Sequence, residues 1–302
     1  MVAAAIAWRL VGRKPIVPGP MALGATQEQL AVVYGWVPLL LAVHTAVPLL
    51  VSGIQRNLLV PNLHMGLGTG ALLGLLQIAV GLLLFYGVFA RYAAFGLGAV
   101  WCAGVLLFGP VRLLEHALYL GIAAFFWIIG RGPIAVDRIF GPWAHARERW
   151  LPHAVALLRL STGFSIAWLA LTEKLLNLPL ALSFVGEYPW VNFLPAFGIE
   201  VSDVTFLRLA GTVELTGGLL LMLGVFPRLV ILLLWLPFNV TLAAFGWREL
   251  VGHLPIYAVM GFLLLWGPGG KEDHEAFRAG LVPERGKPVE RGRLDQERAE
   301  RS

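Results

Sequence analysis

The sequence predicts an all-α membrane protein with eight transmembrane helices, arranged as two parallel-repeat four-helix bundles. Three observations predict it. The 302-residue chain is 58% hydrophobic and only 14% charged, against about 25% charged in an ordinary soluble domain. Its apolar residues fall in continuous runs close to the roughly 20 residues that a helix needs to cross a bilayer. The first half of the chain also aligns on the second without gaps over a long stretch. A mean hydropathy of +0.76 excludes a disordered chain and argues against a soluble enzyme.

The eight runs cover residues 31–53, 65–89, 92–111, 114–130, 154–176, 204–226, 229–247 and 251–267. Lipid offers no hydrogen-bond partner to a backbone N–H or C=O, so each run satisfies its own as a helix. A β-barrel is excluded because the runs are continuous rather than alternating. Residues 1–30 read as a cytoplasmic N-terminal segment. Its order, apolar and then basic, reverses that of a signal peptide, so no cleavage is expected. Residues 133–153 read as a cytoplasmic linker, in which Trp143, Arg147, Arg149 and Trp150 suit a short helix on the inner leaflet. The connection Asn177 to Asp203 reads as an external loop. Its Tyr188, Trp190 and Phe193 either float at the headgroups or close over a cavity. Residues 271–302 carry eight basic and eight acidic side chains and read as a disordered or weakly helical cytoplasmic tail.

Orientation follows from the placement of Lys and Arg. An even number of passes puts both termini on one side, which collects 17 of the 23 basic residues. The other side holds five, and Arg159 lies within a run. Both termini are therefore expected in the cytoplasm, with the chain in a bacterial-type inner membrane. The net charge of +5 then reflects topology, and nucleic acid is not an expected partner. The single cysteine, Cys102, can form neither an internal disulfide nor a thiolate metal cage. It reads as a small buried hydrophobe.

From Gly74 to Gly132, residue n matches residue n+137, with 17 of 59 columns identical. The string GLLLFYGVFAR (81–91) sits over GLLLMLGVFPR (218–228), and His116 sits over His253. Further upstream the offset is 118, which lays Gln55-Arg56 over Glu173-Lys174. Each unit, 31–132 and 154–270, has an even number of runs. The two copies therefore point the same way, related by an axis along the membrane normal.

The segment LLRLSTGFSIAWLALTEKLLN (157–177), then VELTGGLLLMLGVFPR (213–228), then a run ending WGPGG (266–270) resembles the DoxX-like membrane proteins. In that family an Arg opens the first helix, a Lys closes it, a Glu precedes a Gly-rich run in the second helix, and a GPG ends the unit. Arg159, Lys174, Glu214 and Gly267–Gly269 match. The first unit is a diverged copy, with Leu41 for Arg159, Arg56 for Lys174 and Gln77 for Glu214. The resemblance implies a four-helix unit used twice. It also implies a kinship with the small membrane subunit of archaeal thiosulfate:quinone oxidoreductase and with proteins of thiol or quinone stress.

Glu214 is the sharpest candidate for chemistry, because a carboxylate near the middle of a span must be paired or protonated. Arg159 and Lys174 are its two possible cationic partners, and depth along the helices does not choose between them. The triad is either a proton-linked or quinone-facing core or an interhelical clamp. His116 and His253 occupy one repeat position at the outer starts of the fourth and eighth runs. They either cap the wet interface, bind a quinone or other polar ligand, or hold a haem or metal ion. With no HExxH and no CxxC, no metal is expected. Two activities stand side by side: a membrane subunit or anchor linking a peripheral redox partner protein to quinone, and a transporter or binding protein for a small molecule or lipid with its site between the repeats. A scaffold without a ligand is the third. Catalysis is not decided by the sequence.

Overall fold

The computed structural model describes residues 15–139 and 146–281, and it is all-α. In chain order the helices are α1 (Gln27–Ile54), α2 (Leu67–Tyr86), α3 (Ala90–Phe108), the short α4 (Pro110–Leu114) and α5 (Leu118–Ile129). Then come α6 (Leu151–Leu169, continued as a π-helix over Ala170–Leu175), α7 (Leu178–Glu187), α8 (Asp203–Leu223), α9 (Pro227–Phe245), α10 (Trp247–Trp266) and α11 (Lys271–Leu281). Among the described residues, seven helices are long and apolar enough to cross a membrane: α1, α2, α3, α6 with its π continuation, α8, α9 and α10. The chain is a multi-span helical membrane protein. Leu72, Phe95, Leu106, Leu209, Leu233 and Leu236 stand exposed on α2, α3, α8 and α9, an outer apolar surface suited to lipid contact. Cys102 is on that surface too. The expectation that protein would bury it is corrected, since a spanning helix needs no protein cover for an apolar side chain.

The run expected over 114–130 is broken. Gly109 takes a φ of 84°, and Pro110 restarts the chain as α4. The turn after it closes through tighter bonds, His116 N to Leu113 O (3.0 Å) and Ala117 N to Leu114 O (3.2 Å). The remaining α5 has 12 residues, short of a span by itself. At the break the Leu118 N–H donates to Ser165 Oγ on α6 at 2.8 Å, so the second half of the chain supplies a partner for the first.

Helix ends follow from local chemistry. Thr26 opens α1 with a capping box: its Oγ1 accepts from the Gln29 N–H at 3.2 Å, while Gln29 Oε1 accepts from the Thr26 N–H at 2.9 Å. The chain after α5 folds back against the end of α2 and the start of α3. Asp137 accepts the first N–H groups of α3, from Phe89 (2.6 Å) and Ala90 (2.9 Å). Arg131 donates to the last carbonyls of α2, at Leu84 and Phe85 (both 2.9 Å). Both placements match the helix dipole. Burial pulls the Arg131 pKa down to about 10, which leaves it charged at neutral pH. Arg228 does the same for the end of α10, through Leu264 and Leu265 (3.0 Å each). Replacing Asp137 by Ala is expected to cost about 1–2 kcal/mol, read as a lowered thermal midpoint in detergent; an unchanged midpoint would contradict the cap. Among the described residues the linker forms two short 3-10 turns, Val136–Ile139 and Glu148–Trp150. Trp143 lies outside the described residues, and Arg147 stacks over Trp127 at 4.3 Å.

Positions aligned by the repeat share backbone conformation. Gly87 and Gly224 have φ of 69° and 66°, and Phe89 and Phe226 both have φ of 49°, a left-handed conformation uncommon for non-glycine residues. α1 crosses α2, and α6 crosses α8, at backbone contact: a Cβ on Gly74 would lie 2.6 Å from the Gly53 oxygen, and one on Gly218 would lie 2.6 Å from the Gly163 oxygen. Across the halves, α5 packs on α6 and α1 packs on α10.

The charged tail departs most from expectation. Residues 271–281 form α11, which buries Ala276, Phe277 and Leu281; residues 282–302 lie outside the described residues. Phe277 enters a cage of Tyr34, Phe125, Phe262 and Trp266, with ring centroids 5.5–6.5 Å away. The Tyr34 hydroxyl donates to Asp273 Oδ1 at 2.9 Å. Arg138 donates to the Leu281 carbonyl at 3.0 Å. Composition counts charges but does not see that the apolar residues of this short stretch share one face.

Candidate functional site: a polar cavity between the two halves

At the end of the bundle opposite α11 lies a cavity of about 630 Å³. Its walls come from both halves of the chain. Val60 and Pro61, from the α1–α2 connection, and Tyr119, from α5, line it on one side. Ser165 and Leu169 on α6 and Phe238 and Phe245 on α9 face them, with Gly252 and Ile256 on α10. Tyr188, just after α7, also reaches it and packs on Phe245 at 5.7 Å between centroids. The connection 177–203 is thus partly helical rather than an open loop, and its Tyr188 reaches the cavity wall.

The polar groups on these walls are dominated by carboxylates. Glu115, Glu173 and Glu249 line the cavity, with Arg248 as the cation among the lining residues. Glu115 accepts from the Thr172 hydroxyl at 3.0 Å. Glu173 is within electrostatic reach of Glu115 and Glu249. His116 and His253 both line the cavity as well, so the structure brings the two repeat-related histidines to one site rather than leaving them as separate interface caps. His253 Nε2 lies 3.6 Å from Glu249 Oε1. His116 is placed there by the tightened turn after α4, the same turn that breaks the fourth run.

Glu214 is elsewhere. It is buried at 6% exposure and pairs with Lys174. Of the two cationic partners the sequence offers, the structure selects Lys174; the Arg159 guanidinium lies against Gly224 at the end of α8. The choice is local in origin. The π-helix over Ala170–Leu175 alters the register at the end of α6. Glu173 lines the cavity and Lys174 meets Glu214, adjacent residues on different faces of the helix. The aligned residue in the first half, Gln77, is fully buried and does the equivalent job with neutral groups. Its Oε1 accepts from the Leu59 N–H at 2.6 Å, and its Nε2 donates to the Asn57 carbonyl at 2.8 Å. In both halves this position ties the second helix to the end of the first, which favours a clamp over a reacting group.

Sequence reading singled out Glu214, Arg159 and Lys174 first and the two histidines second. The structure brings the histidines together with residues that sequence reading did not rank: Glu115, Glu173, Glu249, Arg248 and Tyr119. A signal was present, since three acids beside the ends of apolar runs are unusual, but each by itself reads as a wet helix terminus. Among the described residues no group of three or more His, Cys, Asp or Glu could hold a metal ion. His44 donates within its own helix, from Nδ1–H to the Leu40 carbonyl at 2.7 Å. His64 bonds Asn57 Oδ1 at 2.6 Å, so both are satisfied away from the site. The chain matches no protein-family model, no curated protein and no solved structure.

Proposed function

We propose that the chain is a DoxX-like membrane protein built from two parallel four-helix units, crossing a bacterial-type membrane eight times with both ends cytoplasmic, and that it binds a small molecule between the units. In this reading α4 and α5 together make the fourth pass. The shared left-handed turns at Phe89 and Phe226 and the crossed packing of α5 on α6 and α1 on α10 support the duplication. The 17-to-5 distribution of basic residues supports the orientation. The observation that carries the binding role is the cavity itself. It is large, walled by both units, and mixes apolar surface with a few convergent polar groups, as ligand sites do. Repeat proteins commonly bind substrate at the interface of their repeats.

Gly252 offers a direct test. A Cβ placed there would meet only Pro61 Cδ, at 3.5 Å, so a large side chain can enter the cavity without striking backbone. Native mass spectrometry of protein in its own lipids should find a bound small molecule in the wild type and none in Gly252→Trp, at equal thermal stability. Equal occupancy in both would refute the cavity as the site.

A quinone-linked redox role is the second reading. The observation favouring it is the pair of imidazoles on one cavity, which can hydrogen-bond the carbonyls of a quinone. Saturable binding of a short-chain quinone that Gly252→Trp abolishes would promote it. A peripheral partner protein would then have to supply the electrons, because the chain has no cofactor motif.

A further inference from the structure

We infer that the cavity takes a protonated amine carried on a compact apolar body, with the ammonium held by Glu173 and Glu249. The inference rests on the binding role proposed for the cavity and adds the chemistry of the occupant. The cavity is lined by residues of both units. Its charge is unbalanced, with three carboxylates lining it against one guanidinium, Arg248. Glu173 faces Glu115, Glu214 and Glu249 as like charges, and the cation acting on it, Lys174, is committed to Glu214. Carboxylates gathered in a poorly solvated space repel one another, and an entering cation relieves that repulsion. An anion would meet the same field as a barrier, and a neutral molecule would leave it uncorrected.

A second observation comes from His253. Its Nδ1 is buried and has no hydrogen-bond partner among the described residues, while its Nε2 faces Glu249. With the ring proton on Nε2, the imidazole turns its donor toward the Glu249 carboxylate. An ammonium group brings three N–H donors, and the cavity wall offers it the carboxylates of Glu173 and Glu249, the latter facing His253 Nε2. The remaining wall suits the body of such a ligand. Leu118, Ile166, Leu169 and Ile256 are aliphatic, and Tyr119 and Phe238 add aromatic faces that favour a cation beside them.

The test uses the full chain in lipid nanodiscs and three probes of one shape: 1-adamantanamine, 1-adamantanol and 1-adamantanecarboxylate. Equilibrium binding should be saturable for the amine and at least about tenfold weaker for the other two, the scale of one charge-assisted hydrogen bond. Glu249→Gln, and Glu173→Gln with Glu249→Gln, should weaken the amine at least about tenfold and leave the alcohol unchanged, which also reports that the variants fold. Gly252→Trp should remove the amine binding. Equal affinity for amine and alcohol, or amine binding untouched by the carboxamide variants, overturns the inference. If Gly252→Trp still removes that binding, the cavity reading stands without the amine. No saturable binding of any probe overturns the amine inference, and the native mass spectrometry above then decides the cavity reading separately.

Discussion

Lys174→Met should destabilise the protein by about 3–5 kcal/mol, the cost of leaving a buried carboxylate without its cation. Glu214 is 92% buried at the side chain and Lys174 is 24% exposed, so water can rescue neither partner fully. The double variant Lys174→Met with Glu214→Leu should recover most of that loss, because a buried pair replaced by apolar groups of similar volume is often neutral. Equilibrium unfolding of all three proteins, followed by helicity in one detergent system, measures the cycle. A functional carboxylate predicts a different pattern: little loss of stability in either variant and complete loss of ligand binding in both. Gln77, which makes the corresponding tie with backbone groups alone, is the reason to expect the structural outcome.

Phe277→Ala should release α11. Phe277 is fully buried, and truncating such a side chain costs about 3–5 kcal/mol, more than a helix of 11 residues can recover by itself in water. Its cage includes Phe125 and Phe262, which the repeat alignment sets at the same position of the two halves. One ring therefore bolts both halves together at the end opposite the cavity. Limited proteolysis should cut the Lys271–Leu281 segment in the variant and spare it in the wild type, with a lowered thermal midpoint of the whole bundle. Equal cleavage of both proteins would return the segment to the status of a solvated tail.

Most of the membrane architecture was legible in the sequence, because spans declare themselves through length and hydropathy, and these depend on neighbouring residues alone. The run at 114–130 was less legible. Gly109 and Pro110 mark a break, but the tightened turn at Glu115–Ala117 depends on Ser165 arriving from α6 to take the Leu118 N–H. The candidate site was legible only in part. The repeat marked His116 and His253 as equivalent, and from that equivalence a shared location follows only once the halves pack face to face. Glu173 and Lys174 stand about 100° apart around the helix, so they face different neighbours, and which neighbour each meets depends on the rotation of α6. The π-turn over Ala170–Leu175 shifts that rotation at the end of the helix.

The amino-acid order alone determined that this is a helical chain for lipid, with its apolar runs, its internal duplication and its buried polar outliers, because bilayer thickness and backbone satisfaction act on each segment separately. Only the tertiary structure decided that Lys174 rather than Arg159 meets Glu214, that α11 docks, and that three carboxylates and two imidazoles share one cavity. Those outcomes depend on how each helix is rotated about its axis. Rotation is set by side chains meeting across helices, through glycine crossings such as Gly163 on Gly218 and cages such as that of Phe277, and no single segment carries that information.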